Sequence, residues 1–203
     1  MGKIAIRTYE RSSSIVFLKT QEQYGGLSNM AGGYPICVNE VRVLTSEALY
    51  QACRFPHRPE IQEMIFSQTS PMTAKMKSKP YRSETRSDWL RVRVRIMRWC
   101  LTAKLLNNWS TFSALLLETK DYPIVEESRK DKFWGATSSG DGTLTGANVL
   151  GRLLMELREC VVAGAVPEVL EPLQIEDFLI KGVPVGQLCR QDATGIKPRG
   201  LLL

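Results

Sequence analysis

The chain has 203 residues, of which 43% are hydrophobic and 24% are charged. This composition supports one domain with a buried core and excludes a chain that is disordered over most of its length. No apolar run reaches the roughly 18 residues of a membrane-spanning helix, and the first residues lack the apolar stretch of a secretory signal, so we expect a cytoplasmic protein without a membrane partner.

The cysteines and the histidine restrict the chemistry that the chain can perform. Five cysteines are scattered singly without a C-x-x-C pair, which indicates neither a disulfide framework nor a zinc cluster. The single histidine, His57, lies between Pro56 and Pro59, where we expect an exposed loop. Catalytic triads, cysteine–histidine pairs and histidine-rich metal sites are therefore disfavoured. We expect neither a metal nor another cofactor.

Positive charge is concentrated in one segment of the chain. Residues 75–104 contain ten basic and two acidic side chains, a net charge of +8, whereas the whole chain carries +6 and the remainder therefore −2. Such a segment is typical of a surface that binds the phosphates of a nucleic acid or a nucleotide, and it is equally typical of a solvated helix face.

The first half of the chain is predicted to form short strands followed by short helices. Apolar residues bounded by glycine and asparagine indicate the strands, and capping residues followed by proline or apolar spacing indicate the helix starts. The predicted elements are a strand at 13–18, a glycine-rich turn at 24–29, a hairpin over 34–43, and helices beginning at Thr45 or Ser46, at Pro59 and at Ser70-Pro71.

The second half is predicted to be mainly helical. Residues 91–96 alternate as a strand would, but over 87–107 apolar residues recur every three or four positions, which favours a helix capped by Ser87. A second apolar stripe predicts a helix over 149–162, preceded by a loop rich in glycine, serine and threonine at 135–147. The prediction is therefore an α+β fold that is mainly helical.

The pattern weakens after Cys160. Four prolines and only short apolar clusters follow, which indicates an arm rather than a second domain. We expect a domain of residues 1–162 and a C-terminal arm of residues 163–203 that packs on the domain or on a partner.

Several polar residues are candidates for chemistry, each with an ordinary structural alternative. Glu47, Gln51 and Arg54 share one helix face, although a carboxylate in a first helical turn also fits simple capping. Lys104 lies at the edge of an apolar stripe, where lysines usually extend to solvent, but where burial would lower the pKa and create a nucleophilic amine. Asp131 precedes Trp134 at the mouth of a glycine loop.

The glycine-rich segment 140–148 is a further candidate. It delivers backbone N–H groups to the start of a helix, an arrangement that suits an anion such as a pyrophosphate. Most such segments are only loops, and the spacing matches neither a P-loop nor a dinucleotide fingerprint.

Six motifs in order along residues 15–160 together resemble the YbiA-like, or NADAR, family. They are 24–30 (YGGLSNM), 45–51 (TSEALYQ), 70–75 (SPMTAK), Trp89 with Met97 and 101–104 (LTAK), 124–126 (IVE) with Asp131 and Trp134-Gly135, and 146–155 (GANVLGRLLM). The resemblance implies a single α+β domain with a small N-terminal β element that cleaves N-glycosidic bonds. Members of the family act on ribosylamine intermediates of riboflavin synthesis or on ADP-ribose attached to guanine.

The resemblance also implies roles for individual residues. Glu47 would be the acid/base, Lys104 an amine that forms an imine with the opened ribose, and Asp131 a second carboxylate near the ribose. Residues expected to hold the ligand are Ser28, Asn29, Gln51, Arg54, Trp89, Trp134, Gly135 and Asn148, the last at the phosphates.

The basic segment favours one substrate class among those of the family. A net charge of +8 fits a nucleic acid or a pyrophosphate better than a small ribosylaminopyrimidine phosphate. We therefore expect an N-glycosidase that removes ADP-ribose from guanine bases, with ADP-ribosylated nucleic acid, most simply DNA, or ADP-ribose as its partner. A DNA ADP-ribosyltransferase toxin would be its cognate enzyme. The alternatives are a glycosidase of riboflavin-synthesis intermediates and a module that only binds ADP-ribose.

Overall fold

The computed structural model describes residues 4–191, and its strands form several small sheets beside the helices. β1 pairs antiparallel with β7, which also pairs with β6, while β2 pairs parallel with β5 and β3 forms a hairpin with β4. The bounds are β1 Arg7–Glu10, β2 Ile15–Phe17, β3 Ile36–Val38, β4 Val41–Val43, β5 Ile124–Glu126, β6 Thr137–Ser138 and β7 Thr143–Gly146. The predicted strand at 13–18 and hairpin over 34–43 are confirmed.

Three short helices begin where the capping residues and Pro59 predicted. The Thr45 side chain accepts a hydrogen bond from the Ala48 N–H, and the Ser70 side chain accepts one from the Thr73 N–H, so both satisfy N–H groups that a helix start leaves unpaired. The six helices of residues 4–191 are α1 Ser46–Ala52, α2 Pro59–Phe66, α3 Pro71–Ser78, α4 Trp89–Asn107, α5 Trp109–Glu118 and α6 Val149–Val162.

The 19-residue helix α4 is the centre of the core. Its buried stripe includes Val92, Ile96 and Leu106, and it packs against α1, α5 and α6. The helical interpretation of 87–107 is confirmed, but the prediction of a Ser87 cap is wrong. The residue that precedes α4 is Asp88, and no side chain caps the helix. The Asp88 carboxylate instead accepts two hydrogen bonds from the Arg86 guanidinium.

The prediction of a continuous loop over 135–147 is also corrected. β6 and β7 lie in this segment, and β7 pairs along its length with β1. The partner of β7 is β1, near the start of the chain. The local composition of 135–147, rich in glycine, serine and threonine, therefore does not indicate that β7 pairs with β1. The α+β, mainly helical fold class is confirmed.

Residues 163–191 lie against the helices. Phe178, Ile180 and Leu188 are buried in the same apolar cluster as α4, and the Trp99 indole N–H donates to the Glu171 carbonyl at 2.9 Å. Four two-residue strands form two pairs here: β8 Val169–Leu170 with β11 Leu188–Cys189, and β9 Leu179–Ile180 with β10 Val183–Pro184. The rest of the arm, 192–203, lies outside the described residues. None of the helices within 4–191 is long and apolar enough to span a bilayer.

Candidate active site

A cleft of about 690 Å³ opens between α1, α3, the start of α4 and the segment that follows β5. This volume is typical of sites that enclose a small molecule or a nucleotide. Carboxylates, cations and aromatic rings all line it. The acidic residues are Glu47, Glu126, Glu127 and Asp131, the basic ones Lys19, Arg54, Lys75, Arg82, Arg93 and Arg129, and the aromatic ones Tyr50, Trp89 and Trp134.

Glu47 lies at the floor of the cleft and is only 2% exposed. The Asn29 amide donates to Oε2 at 2.5 Å, the Gln51 amide donates to Oε1 at 2.9 Å, and the Lys75 ammonium lies 3.6 Å from Oε1. The main chain fixes the same arrangement, because the Glu47 N–H and the Ser46 hydroxyl both donate to the Asn29 carbonyl. Glu47 is thus held in one orientation by its neighbours, at a position that lines the cleft.

Glu126 is a second carboxylate of the cleft, to which sequence reasoning gave no role. It ends β5, and burial raises its pKa to about 7, with the negative charges of Glu47 and Asp131 contributing in the same direction. At neutral pH this group is therefore divided between the protonated and ionised forms. A carboxyl group in that state can donate a proton to a leaving group.

Asp131 contributes a third carboxylate from an exposed turn. Its Oδ1 accepts hydrogen bonds from the backbone N–H groups of Phe133 and Trp134, each at 2.9 Å. This is the local turn that aspartate favours, and it places the Trp134 ring in the cleft. Asp131 therefore stabilises the turn and also lines the cleft.

Aromatic rings and guanidinium groups form one wall of the cleft. Tyr50 contacts Trp89 and Trp134, with ring centroids 4.9 Å and 5.6 Å apart. The Arg54 guanidinium lies 4.9 Å from the Trp89 ring centroid, and its buried Nε has no hydrogen-bond partner within the described chain. An unsatisfied buried donor in a cleft is suited to an anionic or carbonyl oxygen of a ligand. Arg93 also lines the cleft and lies over the Phe133 ring at 3.7 Å.

Lys104 does not reach the cleft, which corrects the expectation that it presents its amine to the ligand. Its Nζ donates to the Gly26 and Ser28 carbonyls at 2.6 Å and 3.1 Å, and it lies 4.5 Å and 4.2 Å from the ring centroids of Tyr34 and Phe112. The side chain is fully buried, and burial lowers its pKa to about 7. The lysine beside Glu47 is Lys75, which the 70–75 motif contained without an assigned role.

Asn148 and its loop are also removed from the position predicted for phosphates. Asn148 is fully buried, and its amide donates to the Ile124 carbonyl at 2.8 Å while its side-chain oxygen accepts from the Glu126 N–H at 3.1 Å. Its φ of 46° is in the left-handed region, which asparagine tolerates. Both polar atoms of the Asn148 side chain bind the backbone of β5, one of them at Glu126. Asn148 therefore holds Glu126 in place.

Gly135 and Ser28 have structural positions as well. A Cβ on Gly135 would lie 2.4 Å from the Glu126 carbonyl oxygen, so only glycine allows this close approach. The Ser28 hydroxyl accepts from the Met30 N–H. Of the residues expected to bind or transform the ligand, those that line the cleft are Asn29, Glu47, Gln51, Arg54, Trp89, Asp131 and Trp134, whereas Ser28, Lys104, Gly135 and Asn148 lie outside it.

The basic segment 75–104 does not form one continuous charged face. Arg86 binds Asp88 and the carbonyls of Glu176 and Asp177, Arg95 donates to the Gln174 carbonyl, and Arg98 pairs with Glu156. Lys75, Arg82 and Arg93 instead face the cleft. The charge therefore divides among contacts with α6 and the chain after it, a basic cleft wall, and cations exposed outside the cleft.

His57 is exposed and lies 3.1 Å from Asp177, remote from the cleft lining, as its proline-flanked position predicts. Residues 4–191 contain no cluster of three or more histidine, cysteine, aspartate or glutamate side chains that could hold a metal ion. Carboxylates, amides and cations are among the side chains that line the cleft.

The chain is similar to a family model, to curated proteins and to a solved structure. A model of the NADAR domain family matches residues 16–162, from β2 to the end of α6. N-glycosidase YbiA of Escherichia coli K12 is 36% identical over 148 residues, which cover 71% of this chain and 86% of that protein. The NMR structure of E. coli YbiA is 35% identical and superposes with a TM-score of 0.63, covering 75% of this chain and 87% of that one.

A longer relative has a different name. The riboflavin biosynthesis protein VVA0006 of Vibrio vulnificus is 35% identical over 156 residues, which cover 76% of this chain but only 40% of that protein. The present chain thus spans less than half the length of this relative.

Proposed function

The chain belongs to the NADAR family, as its motifs indicated, and we propose from that premise that it is an N-glycosidase that removes ADP-ribose from guanine bases of nucleic acid. One observation carries the proposal. A single cleft combines the carboxylates Glu47, Glu126 and Asp131 with tryptophan rings and a wall of basic side chains. Carboxylates are the groups that glycoside hydrolysis needs, and the cations suit a pyrophosphate.

The basic wall favours ADP-ribose over smaller glycosylamines. The guanidinium groups of Arg54, Arg82 and Arg93 and the Lys75 ammonium are suited to the two negative charges of a pyrophosphate. Trp134 and Trp89 offer ring faces for a base or a ribose. The unpartnered Nε of Arg54 would donate to an oxygen of the bound ligand.

We propose direct hydrolysis with the proton transfers divided between two carboxylates. Glu47 takes a proton from water, the water oxygen bonds to ribose C1′, and the bond from C1′ to the exocyclic guanine nitrogen breaks. Glu126 in its protonated form donates a proton to the departing nitrogen. The products are ADP-ribose and an unmodified guanine, so atoms and charges balance. Asp131 would stabilise the positive charge that develops on the ribose.

An imine on Lys104 does not fit this cleft. The Lys104 amine donates to two backbone carbonyls beneath two aromatic rings, so a ribose carbon cannot approach it without displacing the segment that carries Asn29. Lys75 is open to the cleft, but its ammonium lies 3.6 Å from Oε1 of the Glu47 carboxylate, with which it forms an ion pair. In this proposal Lys75 orients Glu47 and the phosphates.

The biological setting follows from the chemistry. An enzyme that restores guanine would reverse the product of a DNA ADP-ribosyltransferase, and we propose that such a toxin is its cognate enzyme and that the chain acts as an antitoxin in the cytoplasm. ADP-ribosylated DNA is then its macromolecular partner.

A second candidate is a glycosidase of ribosylaminopyrimidine intermediates, which the name of the Vibrio relative favours. Both substrates join ribose C1′ to an exocyclic amine, so the same carboxylates would serve. Competition between the two substrates in one reaction, followed by mass spectrometry, decides the matter. We expect ADP-ribosyl-guanine to be consumed first. Faster consumption of the ribosylaminopyrimidine phosphate would reverse the assignment, and binding of ADP-ribose without turnover of either would indicate a binding module.

A further inference from the structure

Helix α3 and the residue that follows it present a mixed stripe of methionine and lysine to solvent beside the cleft. Met72, Lys75, Met76 and Lys79 are spaced three and four residues apart and share one face, whereas Ala74 and Ser78 are buried on the other. Met72 and Met76 are 55% and 57% exposed, which is unusual for long apolar side chains. We call these four residues the α3 stripe.

Within residues 4–191, the cations on and just after α3 other than Lys75, which pairs with Glu47, have no salt-bridge partner. Residues 67–83 contain no aspartate or glutamate. Lys77, Lys79 and Arg82 have no salt-bridge partner among residues 4–191. By contrast, Arg86, which precedes α4, pairs with Asp88, and Arg98 on α4 pairs with Glu156. Unpaired cations beside exposed apolar side chains form a surface for a partner that has both phosphates and apolar faces.

The α3 stripe is continuous with the active-site cleft. Met72 and Lys75 line the cleft, and Lys75 lies 3.6 Å from the Glu47 carboxylate at its floor. Because Glu47 is only 2% exposed, a guanine stacked in a duplex cannot reach it, and the target nucleotide must be single-stranded or turned out of the stack. The nucleotides next to the target then lie over the cleft rim, where the α3 stripe begins.

We propose that the α3 stripe binds the single-stranded nucleic acid that flanks the target guanine, with Lys77 beside it. The ammonium groups contact backbone phosphates, and the two methionine side chains pack on the faces of unstacked bases. The proposal rests on the proposed function for the identity of the target base, but the binding of an unmodified strand can be measured independently.

The test compares two charge reversals of equal size. The first variant is Lys77→Glu/Lys79→Glu, which alters the surface outside the cleft. The matched control is Arg7→Glu/Arg42→Glu, which changes two exposed cations on β1 and β4. Fluorescence anisotropy measures binding of an unmodified single-stranded oligonucleotide across a salt series. Kinetics then compare an ADP-ribosylated guanine oligonucleotide with free ADP-ribosylguanosine.

For the Lys77/Lys79 variant we expect the slope of log K against log salt to fall by about 1.4, because each phosphate contact to a single strand contributes about 0.7. Its kcat/KM for the oligonucleotide falls about tenfold, and its kcat/KM for ADP-ribosylguanosine stays at the wild-type value. The control variant keeps the wild-type slope and the wild-type kcat/KM for both substrates.

Four results would overturn the inference. They are a wild-type protein that does not bind the strand, an unchanged salt slope in the Lys77/Lys79 variant, an equal loss in the control variant, and binding to phosphatidylserine–phosphatidylcholine vesicles without binding to the oligonucleotide. Absence of turnover with all substrates would count against the proposed function alone, because the anisotropy arm still reports on the α3 stripe.

Discussion

The floor of the cleft and the layer directly behind it contain the same types of polar side chain in opposite environments. On the floor, Asn29 and Lys75 direct their side chains to the Glu47 carboxylate. Behind it, Asn148 and Lys104 direct theirs to backbone carbonyls and an N–H group, and both are fully buried. The first pair faces ligand space, and the second is enclosed by protein.

Lys104 and Asn148 support the cleft through the main chain. Lys104 binds the carbonyl of Ser28, the residue before Asn29, and Asn148 binds the N–H of Glu126. Each enclosed side chain therefore fixes the backbone of a residue in the cleft. Residue type and membership of a motif therefore do not distinguish catalytic from structural side chains in this protein. Access to the cleft does distinguish them.

The largest effect is expected for Glu47→Gln. The amide cannot accept the proton of the attacking water, so kcat should fall by about 10³ or more in a protein that still folds. Mass spectrometry of the modified oligonucleotide measures turnover, and thermal unfolding and binding of free ADP-ribose check the fold and the cleft. Wild-type turnover in a folded Glu47→Gln protein would remove Glu47 from the mechanism.

Glu126→Gln should lower kcat by about 10² and change its pH dependence. Glu126 acts in its protonated form, and its pKa is raised to about 7, so the wild-type rate should fall as pH increases through that value. The variant has no proton to lose, and this limb of the pH profile should vanish. The matched control is Glu127→Gln, whose carboxylate pairs with Arg11 at 2.7 Å. If the wild-type rate rises through pH 7, Glu126 is not the acid.

Lys104→Met tests the enclosed layer. Loss of the hydrogen bonds to the Gly26 and Ser28 carbonyls should reduce the free energy of unfolding by about 1–3 kcal/mol, while folded protein keeps its turnover.

Lys104 should also make the free energy of unfolding depend on pH in a defined direction. Burial lowers the Lys104 pKa from 10.5 to about 7, so between these values the unfolded chain binds more protons and wild-type stability should rise with pH. Denaturant unfolding at several pH values should show that rise diminished in Lys104→Met. Complete loss of turnover with unchanged stability would instead return Lys104 to the chemistry.

The smallest effect is expected for His57→Gln, because His57 lies neither on the floor of the cleft nor in the layer behind it. The side chain is exposed and its contact with Asp177 is a surface pair, so the free energy of unfolding should change by no more than about 0.5 kcal/mol. Turnover should equal that of the wild type at every pH. Loss of a limb of the pH profile in this variant would show that His57 takes part in the reaction.

Local signals in the sequence predicted much of the fold. Thr45 and Ser70 cap their helices because the capping interaction spans only three residues, and the spacing of Glu47 and Gln51 places them together because a helix turn is also local. The pairing of β1 with β7 was missed because it joins distant parts of the chain.

The features of the site that the sequence did not predict also depend on tertiary contacts. Tyr34 and Phe112 enclose the Lys104 amine, and both lie outside α4, so the apolar stripe of α4 alone cannot reveal its environment. The raised pKa of Glu126 likewise arises from burial next to Glu47 and Asp131, which the folded chain brings together.

The most direct test of the proposed hydrolysis is a single-turnover experiment with excess protein and an ADP-ribosylated guanine oligonucleotide, with borohydride added during turnover. The masses of the oligonucleotide and of the protein are measured together. We predict that the oligonucleotide returns to its unmodified mass, that free ADP-ribose is released, and that the protein mass does not change. An oligonucleotide that keeps its ADP-ribose would contradict the assigned activity, and a protein that gains the sugar on Lys75 or Lys104 would contradict hydrolysis by a carboxylate-activated water.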